Sequence, residues 1–262
     1  VTDLGSEYYL AYRPSKEYAE RRRLADDLAA LGAVRLHYSL WRIPSKIVKP
    51  VLQLLRGRHA IIMKRSRGIA APTLSYEKGT VDLGSVAVIA YRLPRSSSRK
   101  RAALSRALSG LPAMKIGRCL YLIPHLKASK ISSYRRTILT SSDLFKLFEE
   151  EGIEVTRLTH LRVVYPTNQE PLRRAFVETQ INKIERLILA CRRLRETIRT
   201  GGLDDTIRLR KLLSAYRRRY RSLKGIVFFL HREMGVDLRP ALKRAYVALT
   251  SCRTLIASET LS

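Results

Sequence analysis

Residues 11–44, AYRPSKEYAERRRLADDLAALGAVRLHYSLWRIP, return in altered form at residues 90–124, AYRLPRSSSRKRAALSRALSGLPAMKIGRCLYLIP. Both stretches open on Ala-Tyr-Arg and run through a basic cluster into a Leu/Ala-rich segment. Both break at small residues and close on an aromatic, one further residue, Ile and Pro. A recurrence of this length marks two copies of one structural unit. In the first copy, Tyr8–Arg13 reads as a short aromatic strand. Ser15 caps a helix over residues 16–31 and Gly32 stops it. Residues 33–44 read as extended, split into a hairpin by a turn near His37–Ser39. Residues 45–56 form a second helix with Pro50 near its start, and residues 59–64 a last strand.

The second copy keeps the order. Residues 86–92 are the strand, and 97–109 the helix behind the cluster Ser96-Ser97-Ser98. Residues 113–123 are the hairpin. Thr140-Ser141-Ser142-Asp143 caps a helix that Gly152 stops, and 153–164 returns as strand. Residues 126–139 are an addition without clear pattern. The order βαββαβ is that of a ferredoxin-like unit, so the chain is read as α+β. Two helices would cover one face of each antiparallel sheet and leave the other face free. The boundaries read as unit 1 at 1–80, with a linker over 66–84, unit 2 at 81–166 and a basic α-helical region at 167–262. In that region Val177, Ile181, Ile184, Ile188 and Cys191 step by four and three. Beyond Gly201-Gly202, Leu209, Leu213, Tyr216, Tyr220, Leu223, Val227, Leu230 and Met234 keep the rhythm. Asp204 or Asp205 caps this second helix. Gly235 stops it, and Asp237 caps a third helix. The reading is a helical hairpin with the third helix packed back on it.

Charge dominates the composition. The 262 residues carry a formal net charge of +29. Residues 1–80 hold 15 basic and 7 acidic residues, 81–165 hold 15 and 6, and 166–262 hold 21 and 9. The whole body is therefore basic, with no detachable tail. Such self-repulsion is relieved by a polyanion, most commonly nucleic acid. The three cysteines, Cys119, Cys191 and Cys252, are far apart, which argues against a disulfide framework or a paired-cysteine zinc site. They fit a reducing, cytoplasmic compartment. Asn and Gln total five, a leaning toward a thermophilic source. Acidic residues within the first thirty argue against a signal peptide, and no apolar run reaches membrane-spanning length.

The pattern strand–Ala-Tyr-Arg–basic helix–hairpin–helix–strand resembles the N-terminal domain of bacterial chromate-resistance regulators. Leu31, Gly32, Ala33, Val34, Leu40, Trp41, Ile43 and Pro44 carry the likeness, with Ala113, Leu120, Tyr121, Ile123 and Pro124 in the second copy. The stretch Glu-Glu-Gly-Ile-Glu-Val at 150–155 and the basic helical hairpin are similar as well. The resemblance covers residues 7–200. That family is related to the small CRISPR-adaptation nucleases, ferredoxin-like proteins that dimerise through their sheets and bind duplex DNA. The resemblance thus implies two fused copies forming a pseudo-dimer that matches the two-fold symmetry of a duplex. The nucleases carry a metal-holding Asp at the end of the first strand. Arg13 and Arg92 occupy the comparable places here, and an arginine does not ligate a divalent cation.

No catalytic constellation or metal site is read. His37, His59, His125, His160 and His231 lack ligand spacing, Asp26-Asp27 and Glu149-Glu150-Glu151 suit solvated helix surface, and no phosphate-binding glycine loop is present. No cofactor is expected. The positive signal is basic. Arg21-Arg22-Arg23 and Arg99-Lys100-Arg101 hold nearly the same place in the two first helices. Arg192-Arg193 precede the Gly-Gly turn, and Arg217, Arg218, Arg219 and Arg221 follow it. With Arg13 and Arg92 these are the expected phosphate contacts, since the arginine fork suits phosphate oxygens. Tyr216 and Tyr220 lie on the apolar stripe and read as core. Trp41 and Tyr121 are equivalent, and either core packing or base contact suits them.

The expectation is a non-catalytic protein that grips the phosphate backbone of duplex DNA or structured RNA, as a transcriptional regulator or, alternatively, a ribosome-associated factor. A metal-dependent nuclease and a protein-partner scaffold, oligomerising through the C-terminal helices, are the competing classes. No membrane partner is expected.

Overall fold

A computed structural model describes residues 7–75, 80–92, 98–125, 138–200 and 206–259. The fold is α+β. In the first copy come β1 (Tyr8–Tyr12), α1 (Tyr18–Ala30), β2 (Val34–His37), β3 (Leu40–Ile43), a 3-10 turn at Ser45–Ile47 running into α2 (Val48–Leu54), and β4 (Ala60–Arg65). Two short strands follow, β5 (Thr73–Ser75) and β6 (Thr80–Asp82). The second copy has β7 (Ser85–Tyr91), α3 (Ser98–Ser109), β8 (Met114–Gly117), β9 (Leu120–Pro124), α4 (Ser141–Glu150) and β10 (Val155–Tyr165). Three long helices end the chain: α5 (Glu170–Arg199), α6 (Thr206–Met234) and α7 (Arg239–Glu259).

Eight strands form one antiparallel sheet in the order β2-β3-β1-β4-β10-β7-β9-β8. Matched copy to copy, this order reads the same from either edge. The repeat extends to the register. Ala11 pairs with Leu40 and Arg35 with Trp41, while Ala90 pairs with Leu120 and Lys115 with Tyr121. Each hairpin is irregular at the equivalent place, between Arg35 and His37 and between Lys115 and Gly117. Tyr12 stands opposite Ala60, and Tyr91 opposite Val155. The halves join where β4 pairs with β10, Met63 opposite Val163.

Alternation along the strands divides the apolar residues between faces. Leu10, Tyr12 and Trp41 pack on Leu24 and Leu28 of α1 and Val51 of α2. Ile89, Tyr91 and Ile123 pack on Leu104 of α3 and Leu144 and Phe148 of α4. The opposite face was expected to be free and is covered instead. Tyr9, Ala11 and Met63 of the first half share one core with Val88, Ala90 and Leu161 of the second. Phe176, Ile184 and Leu187 of α5 fill it, with Leu223 and Ile226 of α6 and Ala245 of α7. Every residue of β7 is buried, as a strand covered on both sides requires. Gln180, fully buried, donates from Nε2 to the Ala113 carbonyl at 3.1 Å, and the Lys183 amine donates to the Leu111 carbonyl at 2.9 Å, tying α5 to the second half. Burial and the nearby Arg219 guanidinium push the Lys183 amine down to about 8.

Local signals explain the helix ends. Gly32 at φ +88 lets the Ala33 amide reach the Leu28 carbonyl after α1, and Gly152 at φ +61 lets the Ile153 amide reach the Phe148 carbonyl after α4, so the first helix of one copy and the second helix of the other end in the same way. Thr140 caps α4 in a reciprocal box. Its hydroxyl accepts from the Asp143 amide at 3.2 Å, and the Asp143 carboxylate accepts from the Thr140 amide at 2.8 Å. Thr140→Ala is expected to lower stability by about 1 kcal/mol in denaturant unfolding, with Thr140→Ser recovering most of it. Ser15 does not cap α1 directly: its hydroxyl accepts from the Glu17 amide, and the helix starts at Tyr18. Asp237 accepts from the Arg239 amide at 3.0 Å ahead of α7, and the Arg239 guanidinium holds its carboxyl down to about 2.

The segment at 66–84 was read as a linker and contains the β5–β6 ribbon. Asp82 ion-pairs with Arg162, and the buried Gln169 accepts from the Leu83 amide at 2.8 Å while donating to the Val163 carbonyl. The expected cap at Ser96-Ser97, residues 126–137, the Gly201-Gly202 turn and the Asp204/Asp205 cap lie outside the described residues.

Candidate functional site

The tips of the two hairpins meet where the halves close on each other. Tyr12 donates its amide to the Ser39 carbonyl, and Tyr91 donates to Cys119, equivalent bonds in the two copies. Arg13 and Arg92 then anchor the chain as it leaves each first strand, their amides bonding the His59 and Glu154 carbonyls. Across the junction, His37 Nε2 donates to the Tyr91 carbonyl at 3.0 Å. At the equivalent place in the second copy Gly117 has no side chain. A Cβ there would stand 2.9 Å from Ser39 Oγ and 3.6 Å from the Tyr12 carbonyl oxygen.

Beside this contact lies a cavity of about 750 Å³. The first half lines it with Pro14, Arg21, Arg35, Leu36, His37 and Tyr38, and the second with Tyr91, Arg92, Arg118 and Cys119. Four arginines and a histidine thus surround one space, and none of the described residues lining it is a carboxylate. Arg21 is held by its Nη1, which donates to the Ser15 and Lys16 carbonyls, while its Nε is buried without a protein partner. Arg35 donates to the Tyr38 carbonyl and stacks over the Tyr38 and Trp41 rings. Arg92 meets Glu154 at 3.5 Å, both exposed. Arg118 sits exposed on the β8–β9 turn. His37 is 7% exposed, and its Nδ1 has no protein partner. Burial pulls the imidazole below its ordinary value, and the positive charges of Arg92 and Arg35 add to that.

Of the residues expected to meet phosphate, Arg21 and Arg92 come together here, and Arg13, Arg22 and Arg23 do not line the cavity. Arg22 and Arg23 face outward on α1, Arg22 near Asp26 at 3.9 Å. Arg99 and Arg101 face outward on α3, while the Lys100 amine bonds the Glu151 carbonyl at the end of α4. Arg192 and Arg193 are exposed on α5, Arg192 beside a groove between α5 and α7. Arg217, Arg218 and Arg221 are exposed on α6. Arg219 is turned inward: its Nη2 donates to the Lys183 carbonyl at 3.4 Å, and burial with the nearby Arg186 lowers its pKa. Arg35 and Arg118 were not singled out by sequence, and His37 was read there as an imidazole without a ligand role. Their signal was the aligned turns His37-Tyr38-Ser39 and Gly117-Arg118-Cys119 of the repeat. Trp41 is core, and Tyr121 stacks on Tyr91 at 6.2 Å between centroids.

Among the described residues no group of three or more His, Cys, Asp or Glu could hold a metal ion, and no helix is long and apolar enough to cross a membrane. His125 and His160 form an edge-on pair, 4.7 Å between centroids. Burial lowers His125 to about 4, with His160 and Arg157 adding to it. Its folded pKa lies below the unfolded value near 6.5, so the stability that neutral His125 contributes is complete above that pH and is lost as pH falls toward 4. Discounted for partial exposure, the loss is about 1–2 kcal/mol. Urea midpoints at pH 7 and pH 5 are expected to differ less in His125→Gln than in the parent chain.

Compared with known proteins, the chain matches no family model, no curated protein and no solved structure.

Proposed function

We propose that this chain is a non-catalytic nucleic-acid-binding protein that grips the phosphate backbone of duplex DNA or structured RNA. The observation that carries the reading is the cavity at the junction of the halves, where Arg21, Arg35, Arg92 and Arg118 gather with no carboxylate among the described residues that line it. Guanidinium forks bind phosphate oxygens bidentately, and a site assembled from both halves fixes the register of a bound backbone. The exposed clusters on α1, α3, α5 and α6 extend the basic surface, and the net charge of +29 favours a polyanion.

Each half is a ferredoxin-like unit in this reading, supported by the order β2-β3-β1-β4 and its counterpart β8-β9-β7-β10. The likeness to chromate-resistance regulators favours duplex DNA and transcriptional regulation; charge spread over the whole body favours structured RNA or the ribosome. The free cysteines fit a reducing, cytoplasmic setting. The test is binding to matched 20-base-pair DNA and RNA duplexes and single strands over a salt series, with magnesium present. Steeply salt-dependent binding without cleavage supports the reading, and the preferred ligand selects between regulator and RNA factor. Weak binding to all of them, or magnesium-enabled cleavage, overturns it.

A second reading, a scaffold that binds a protein partner or a second copy, is favoured by Val247, more than half exposed on α7 where it lines the apolar groove against α5. Sedimentation across a concentration series tests self-association by this face.

A further inference from the structure

The two hairpins share strand pairing and irregularity, so every residue of one has a counterpart in the other. Around the junction the counterparts differ in chemistry. His37 matches Gly117, Tyr38 matches Arg118, and Arg35 matches Lys115. The cavity is therefore a place where an otherwise symmetrical pair of copies has been made asymmetrical, with one histidine, one exposed tyrosine and an added arginine. Its volume of about 750 Å³ lies in the range of small-molecule sites and far exceeds the needs of a single phosphate group.

We propose that this cavity is a site for a nucleotide phosphomonoester, either the phosphorylated end of a nucleic-acid strand or a free nucleoside monophosphate. This rests on the reading of the basic surface as a phosphate-binding one. Four guanidiniums share the space, and among the described residues the carboxylate paired to them, Glu154 on Arg92, is exposed and 3.5 Å away. A backbone diester brings a single negative charge to such a cluster, whereas a monoester brings between one and a half and two. The dianion thus relieves more of the mutual repulsion. Arg21 Nε, buried without a protein partner, is a donor available to a phosphate oxygen. His37 Nε2 carries the proton given to the Tyr91 carbonyl, which leaves Nδ1 as an acceptor, suited to a sugar hydroxyl. Tyr38 is 42% exposed and lies against Arg35, a surface on which a base can stack.

The experiment uses the full chain and fluorescent 20-base-pair duplexes bearing either a 5′-phosphate or a 5′-hydroxyl, with adenosine monophosphate and adenosine as competitors. The phosphorylated duplex is expected to bind about ten-fold tighter at fixed salt, with adenosine monophosphate competing and adenosine not. Arg118→Ala, at an exposed turn, is expected to bring that ten-fold preference close to parity, weakening the phosphorylated duplex more than the hydroxyl-ended one. Binding of adenosine monophosphate without any end preference supports the site and identifies its source as a free nucleotide. Equal binding of both duplexes with no nucleotide binding overturns the site, and leaves the broader reading standing. Failure of both duplexes to bind overturns that broader reading, while adenosine monophosphate binding lost in Arg118→Ala would still support the cavity.

Discussion

Gly84→Ala is expected to lower stability by about 3 kcal/mol, measured from denaturant midpoints at constant slope. Gly84 joins β6 to β7 at φ +69, and a Cβ there would stand 2.6 Å from Ala71 C and Pro72 N and 2.7 Å from the Ala70 carbonyl oxygen. All three are backbone atoms, so no rotamer change relieves the overlap. The left-handed conformation itself costs an alanine about 1 kcal/mol, and displacing a packed backbone adds about 1–3 kcal/mol more. The neighbours resist displacement. The Ser85 amide bonds the Ala70 carbonyl at 2.9 Å, and the Ala70 amide bonds Ser85 Oγ at 2.8 Å. These bonds hold the segment against the first residue of β7, the strand buried along its whole length. Gly32→Ala is the control, because Gly32 also has positive φ but its Cβ would meet nothing within 4 Å. It is expected to cost only about 1 kcal/mol. Equal effects at the two sites would contradict the close backbone contact.

The repeat and most element ends were legible because they depend on local chemistry. Gly32, Gly152 and the Thr140–Asp143 box act within one helical turn, and their sequence signals were sufficient. The β5–β6 ribbon escaped because strands of three residues carry too short a pattern to register as periodic. The covered sheet face had a signal of a different kind. The run Val86-Ala87-Val88-Ile89-Ala90 does not alternate with polar residues, which is the mark of burial on both sides. Read as half of a ferredoxin-like unit, it suggested a free face instead. The cavity depends on contacts no local pattern encodes. His37 reaches Tyr91 across 54 residues of chain, and Arg118 joins them from the other hairpin. Helical register held more than the cluster Arg217-Arg218-Arg219 revealed as a run of charge. Arg219 lies three residues after Tyr216 and four before Leu223, on the flank of the buried stripe, so it turns inward while its neighbours stay in solvent.

That division among neighbouring arginines gives the largest expected effect. If the outward-facing clusters neutralise about eight phosphates of a DNA duplex, log K falls against log salt with a slope near −7. Between 50 and 200 mM salt the affinity then drops about 10⁴-fold. Arg217, Arg218 and Arg221 are exposed on α6, with Arg221 four residues beyond Arg217 and three beyond Arg218 and so on the same side of the helix. Replacing all three with alanine is expected to bring the slope to about −4, and the loss over the same salt range to a few hundred-fold. Arg219→Ala is expected to leave the slope near −7, because its guanidinium is engaged with the Lys183 carbonyl inside the helical layer. The comparison separates charge that meets phosphate from charge that packs the fold. A triple variant that kept the full slope would remove α6 from the interface and confine phosphate contact to the two repeated halves.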